Sequence, residues 1–161
     1  MKTLFLLRHA KSSRKDQSLP DFERPLNRRG KKATDKLGRY LKDELIVPDL
    51  VLSSPAVRAR ETIERVMKAA DWIADVRFDQ RIYEAGGLGL LEVVSQIEND
   101  HKTVLLVGHN PGIEELLMLL TGESKKVRTA ALIKLELKSS KWATAADKRA
   151  KLAWRIKPRD L

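Results

Sequence analysis

Leu4-Phe5-Leu6-Leu7-Arg8-His9-Ala10 is a short apolar run that stops abruptly at Arg-His. The same grammar returns in Thr103-Val104-Leu105-Leu106-Val107-Gly108-His109, which runs on into Asn110-Pro111-Gly112. Both runs are short and rich in branched apolar side chains, the pattern of a strand buried on both faces. Both stop at a histidine. In an open parallel sheet, ligands bind just beyond the carboxyl ends of the strands, where loops and helix starts converge. Two such strands side by side put His9 and His109 across one crevice.

The rest of the chain alternates in a way that supports such a sheet. Residues 10–27 are polar and aperiodic, contain Pro20 and Pro25, and read as a loop over the strand ends. Asn27 is a candidate N-cap for a helix whose apolar face is Ala33, Leu37, Tyr40, Leu41 and Leu45. Pro48 disfavours helical geometry at Val47, so this helix is expected to end near Ile46. A second strand is expected over 49–54, and Ser54-Pro55 reads as N-cap and first helical residue of a helix reaching about Ala70. Residues 75–79 suit an edge strand, 82–87 a loop, and Leu88 to Ile97 a short helix. After the strand at 103–107, Asn110-Pro111 again reads as N-cap and N1, with Gly122 closing the helix. Two strands, 131–137 and 152–156, finish the chain, with a loop or marginal helix between them and Trp154 in the core. The pattern predicts one α/β domain over 1–161, a three-layer α/β/α stack around a mostly parallel mixed sheet of about six strands.

Composition narrows the functional classes. With 161 residues and 42% hydrophobic content the chain has enough material for a sizeable core. Cysteine is absent, which excludes disulfides and thiolate chemistry and suits a cytoplasmic setting. No apolar run approaches the roughly 20 residues that span a bilayer, and the run after Lys2 is too short for a signal peptide, so no membrane partner is expected. The net charge of +10 attracts anionic partners. Nucleic acid is disfavoured as the main ligand, because the cations are dispersed and aromatics make up only 5% of the chain.

Three strand ends carry the chemistry: Arg8-His9, Ser53-Ser54-Pro55 leading to Arg58, and His109-Asn110. Two of them open helices, whose free N–H groups favour an anion, and two arginines add planar forks that match phosphate oxygens. A histidine in such a crevice is a competent nucleophile toward phosphorus. No two of the three histidines have helical i, i+4 spacing, so a zinc site is not expected. His101 reads as a surface turn residue and Arg60 as a surface helix residue. Asp21 and Arg24 read as residues that fix the long loop. Lys11 and Ser12 follow the first histidine directly, where either a phosphate contact or a solvated loop fits.

Arg8-His9-Ala10, Ser53-Ser54-Pro55-Ala56-Val57-Arg58-Ala59-Arg60-Glu61-Thr62 and Gly108-His109-Asn110-Pro111-Gly112 resemble the signature of the histidine phosphatase superfamily, which takes in the phosphoglycerate mutases. Arg24-Pro25-Leu26-Asn27-Arg28-Arg29-Gly30, with the compact length, resembles its small SixA-type phosphohistidine phosphatases. The resemblance implies a phosphoglycerate mutase-like fold and a phosphatase that needs neither metal nor cofactor. It implies His9 as the nucleophile, Arg8 and Arg58 as the clamp on the phosphoryl oxygens, and His109 as a stabiliser of charge on the transferring group. Asn110 and Ser12, beside the two histidines, join the expected substrate contacts. The implied substrate is a phosphorylated protein, for instance a histidine phosphotransfer domain. Glu84, in the loop where related branches carry an acid, is the candidate proton donor if the substrate is instead a small phosphate ester; its other reading is a loop glutamate paired with Arg81 or a lysine. A third reading is a non-catalytic phosphate- or nucleic-acid-binding module using the basic surface.

Overall fold

In the computed structural model, which describes residues 1–161, the two apolar runs lie side by side. The first forms β1 (Lys2–Arg8) and the second β4 (Thr103–Gly108), paired in parallel with Phe5 opposite Leu105 and Arg8 opposite Gly108. Four further strands complete one sheet: β2 (Leu50–Ser53), β3 (Asp75–Phe78), β5 (Leu132–Leu137) and β6 (Lys151–Ile156), in the order β3-β2-β4-β1-β5-β6. β1 to β4 are mutually parallel, while β5 runs antiparallel to both of its neighbours, β1 and β6. The expected mostly parallel mixed sheet of six strands is what forms. The carboxyl ends of β1, β2, β4 and β6 therefore share one edge.

Alternation along the strands divides the core into two layers. Leu4, Leu6, Leu50, Leu52, Val104 and Leu106 face one side and pack on α3 (Gly87–Ser95) and α4 (Gly112–Thr121) through Leu90, Val94, Ile113 and Leu117. Phe5, Leu7, Val51, Leu105 and Val107 face the other side and meet α1 (Arg28–Asp43) and α2 (Val57–Ala70) through Leu37, Leu41, Ile63 and Val66. Each fully buried Leu, Ile or Val contributes about 1.5–3 kcal/mol. The two layers hold the sheet from both faces, so the strand-end edge is where polar groups collect.

Several elements differ from the sequence-based expectation. α1 begins as expected, with Asn27 Oδ1 accepting from Gly30 N–H at 2.8 Å, but ends at Asp43 rather than near Ile46. Leu45 takes a left-handed conformation (φ 57°), and the N–H groups of Leu45 and Ile46 close back on the carbonyls of Lys42 and Leu41. This Schellman turn stops the helix before Pro48 can act and leaves Leu45 in solvent rather than on the apolar face. α3 runs two residues short of Ile97. Trp142, in a single 3₁₀ turn between β5 and β6, is the fully buried tryptophan, its Nε1 donating to the His101 carbonyl at 2.8 Å. Trp154 is only half-buried, against Phe5 and Tyr40. His101 is not a free surface residue: its side chain is largely covered and lies 3.5 Å from Glu98, and its carbonyl also accepts from Lys2 Nζ. No helix is long and apolar enough to cross a membrane.

Candidate active site

The parallel register of β1 and β4 delivers His9 and His109 off the sheet together, with ring centroids 5.0 Å apart. His9 N–H is held by the Gly108 carbonyl at 3.1 Å, and Ala130 N–H lies between the carbonyls of Arg8 and His9. β2 lies on the far side of β4, and Ser54 N–H continues their ladder by donating to Val107 O at 3.0 Å. The expected grouping of three strand ends is thus a direct product of strand order.

His9 is oriented through its own backbone neighbourhood. Its Nδ1 lies 2.8 Å from the Ala10 carbonyl, which can only accept, so Nδ1 carries the proton and Nε2 keeps the lone pair. Ala10 is fixed in turn, its N–H donating to Thr62 Oγ1 at 2.9 Å, while the Thr62 hydroxyl donates to the Arg58 carbonyl. Gly30 packs so closely on the next residue that any Cβ there would overlap the Lys11 carbonyl. Burial pushes the His9 pKa down to about 4, with Arg58, Arg8 and Arg24 adding to the effect and the Ala10 carbonyl opposing it. Desolvation therefore outweighs the neighbouring cations as the cause.

His109 is held from the other side. Its Nε2 lies 2.7 Å from Ser54 Oγ, which also accepts from Ala56 N–H at 3.2 Å. The Ser54 hydroxyl is satisfied when it donates its proton to Nε2, which leaves the proton of a neutral His109 on Nδ1. That Nδ1 is buried and has no partner in the protein. Burial, then His9 and Arg58, push the His109 pKa down to about 3 against the opposing charge of Asp21. Both rings are neutral at pH 7.

Ser54 is consequently not the N-cap of α2, which begins at Val57 after Ala56 without a side-chain cap. Asn110 likewise does not cap α4, which starts at Gly112 after a cis Asn110-Pro111 bond. Its Nδ2 donates instead to Glu114 Oε2 at 3.1 Å and to the Val127 carbonyl at 2.8 Å. In both cases the short polar side chain expected to serve the helix has been drawn into the crevice.

The arginines are anchored by the long loop. Arg58 is buried and donates through Nη1 to Asp21 O at 2.8 Å and through Nη2 to Asp21 Oδ2 at 3.0 Å. Asp21 Oδ2 also accepts from Tyr83 Oη at 2.7 Å, and Oδ1 from Arg24 Nη1 at 2.9 Å. These donors, Tyr83 first, hold the Asp21 carboxyl well below the usual carboxylate range despite its partial burial. Arg24 reaches further, to Ser13 O at 3.2 Å and to the Ser12 hydroxyl. Arg8 Nη1 donates to Val127 O at 3.1 Å.

These side chains surround a cavity of about 550 Å³ that has no apolar residue in its lining. Arg8, Lys11, Arg14, Arg24 and Arg58 supply five cations to it, against the single carboxylate of Asp21. The protein's buried side-chain polar atoms without a partner are Arg8 Nε, His109 Nδ1 and Asn110 Oδ1, all on residues of this cavity. Buried polar atoms are rarely left unpaired in a folded protein. Two of these three are donors beside a cationic crevice, the arrangement that suits an oxyanion. No three His, Cys, Asp or Glu side chains gather as a metal-binding group.

Of the residues singled out from sequence, Arg8, His9, Ser12, Arg58, His109 and Asn110 come together here. Glu84 does not: it is exposed, lies outside the lining, and Arg81 pairs with Asp79 rather than with it. Sequence reasoning missed Tyr83, whose ring stands edge-on to His109 with centroids 5.6 Å apart, and Glu114, which holds Asn110. It also gave Asp21 and Arg24 only a loop-fixing role, although both line the cavity. Opposite charges three residues apart in an apolar-poor loop were the one available signal for that pair; Tyr83 offered none.

Comparison with known proteins bears on the family and the fold. Residues 4–88 match the family model of the histidine phosphatase superfamily (branch 1). An uncharacterised chloroplastic protein of Arabidopsis thaliana is 34% identical over 151 residues, covering 88% of this chain and 69% of its own. A crystal structure from Agrobacterium tumefaciens assigned to phosphohistidine phosphatase SixA superposes with a TM-score of 0.85 at 27% identity over 98% of both chains. The structure of the protein histidine phosphatase SixA complexed with tungstate shares the fold, with a TM-score of 0.84 at 22% identity over 98% of both chains.

Proposed function

The chain belongs to the histidine phosphatase superfamily and is a phosphatase, and from that premise we propose that it removes the phosphoryl group from phosphohistidine on a protein. The observation that carries this reading is the state of Asp21. It is the one carboxylate lining the crevice, and two guanidiniums and a phenol keep it ionised. An alkyl phosphate ester needs an acid to protonate its departing oxygen. Phosphohistidine does not, because once its second ring nitrogen is protonated it leaves as neutral imidazole.

In this mechanism His9 Nε2 attacks phosphorus in line, the bond from phosphorus to the substrate nitrogen breaks, and the substrate histidine departs neutral. Arg8 and Arg58 take the charge on the phosphoryl oxygens, and His109 Nδ1–H donates to one of them. Asn110 and Ser12 border the same oxygens. Water then attacks the phosphorylated His9, releasing inorganic phosphate and restoring the free imidazole. The fixed tautomer and low pKa of His9 favour this role, since only the neutral ring is nucleophilic. A histidine phosphotransfer domain is a substrate of the required kind.

The test is phosphate release from a phosphorylated histidine phosphotransfer domain and from phosphoserine, by wild type and His9→Ala, in EDTA. The expected result is turnover of the phosphoprotein, little of phosphoserine, and none by the variant. Efficient phosphoserine turnover would move the substrate to small esters and require an acid that the crevice does not hold in this state.

A further inference from the structure

The catalytic crevice is the first of three adjoining cavities along the strand-end edge. A second, of about 410 Å³, shares Arg8, Lys11 and Thr129 with it and is lined further by Arg29, Arg128, Lys157 and Arg159. A third, of about 380 Å³, shares Arg128 and Lys157 with the second and adds Lys126 and Arg155. Together they present eleven Lys and Arg side chains against two carboxylates, Asp21 and Asp160. Asp21 is already engaged by Arg24, Arg58 and Tyr83. None of the four cations added by the second cavity forms an ion pair, whereas several arginines elsewhere do. Residues from the start of α1, the turn before β5 and the turn after β6 converge here because β6 ends at the same sheet edge as β1.

In the proposed mechanism the phosphoryl group is held at His9, Arg58 and His109, which line only the first cavity, so the cations that the other two cavities add are not needed for the chemistry. Resting on the phosphohistidine reading above, we propose that this basic apron docks an acidic face of the phosphorylated protein, beside the histidine that enters the crevice. Charge complementarity on this scale speeds encounter and fixes orientation. The apron extends beyond what one phosphate or a small ester fills, which points to a macromolecule. It contains no Phe, Tyr or Trp on which bases would stack, which favours a protein over single-stranded nucleic acid.

The experiment compares wild type, R29E/R159E and a control of equal charge change, K68E/K102E, whose lysines sit at the opposite end of the strands. Substrates are a phosphorylated histidine phosphotransfer domain with an acidic face and phosphoimidazole, at low and high salt. R29E/R159E should raise KM for the phosphoprotein about tenfold and flatten its salt dependence, as expected for lost steering charges. It should leave phosphoimidazole turnover unchanged, and K68E/K102E should behave as wild type. Equal losses in the two charge variants, or no loss in R29E/R159E, would overturn the docking surface alone. A wild type that hydrolyses phosphoimidazole but not the phosphoprotein would overturn the phosphoprotein reading and the docking surface with it. RNA binding abolished by R29E/R159E, with phosphoprotein turnover intact, would assign the apron to nucleic acid.

Discussion

The hydroxyl of Ser54 lies 2.7 Å from Nε2 of His109 and, by donating to it, leaves the other ring nitrogen to carry the proton. One small side chain from the end of β2 thus decides which nitrogen of His109 is a donor. In Ser54→Ala the tautomer is no longer enforced and Nε2 is left buried without a partner. In the proposed mechanism His109 serves the transition state, so turnover of a phosphohistidine protein is expected to fall about tenfold in kcat with KM within about twofold. Stability should drop by about 1–2 kcal/mol in urea unfolding. A raised KM with unchanged kcat would place His109 in substrate binding only.

The low pKa values of the two histidines make stability depend on pH. His9 and His109 titrate near 4 and 3 in the native protein, below the ordinary value of 6.5. Between those limits the unfolded chain binds protons that the native chain refuses. Stability present at pH 7 is therefore lost as pH falls from about 6.5, and the loss levels off only once the native rings protonate. Asp21, whose pKa is also lowered, acts in the same direction but only below the ordinary carboxylate range. Urea unfolding at pH 7 and pH 4.5 should show the decline, shallower in His9→Asn. The His9 ring resonances should stay those of a neutral imidazole down to pH 5; titration near 6.5 would contradict the burial argument.

What was legible in the sequence was what repeats locally. Leu4–Leu7 and Val104–Val107 announce buried strands, and a histidine at the end of each can be read without any tertiary knowledge. The misread caps show the limit. Ser54 and Asn110 have the right type and position to cap helices, but His109 and the Val127 carbonyl compete for them across distances the sequence does not encode. Tyr83 reaches Asp21 across sixty-two positions, and neither segment has a period. The strand ends could be foreseen, whereas the loops that lock the arginines could not.

Glu84 and Asp21 are predicted to respond differently to removal of charge. Glu84 is exposed and outside the crevice, so Glu84→Gln should leave kcat/KM on a phosphohistidine protein within about twofold. Asp21→Asn weakens charge-assisted bonds to both Arg24 and Arg58 and should lower kcat/KM about tenfold. A collapse of activity in Glu84→Gln would mean that its loop closes over the bound substrate and brings the carboxyl to the leaving group.

Glu114 should act as a positioning residue from the start of α4. Its Oε2 accepts from Val127 N–H at 2.7 Å and from Asn110 Nδ2 at 3.1 Å, while the Val127 carbonyl accepts from Arg8 Nη1 at 3.1 Å. The carboxylate thus fixes the short segment against which Arg8 is set, and its charge offsets part of the desolvation of that guanidinium. Glu114→Ala removes both acceptor contacts and lets residue 127 drift. With Arg8 as the clamp of the proposed mechanism, KM for the phosphohistidine protein should rise about fivefold and kcat fall by a similar factor. Glu114→Gln keeps one acceptor oxygen and should recover most of kcat with a smaller change in KM. A variant destabilised in urea but unchanged in both constants would show that Glu114 serves only to tie α4 to the turn before β5.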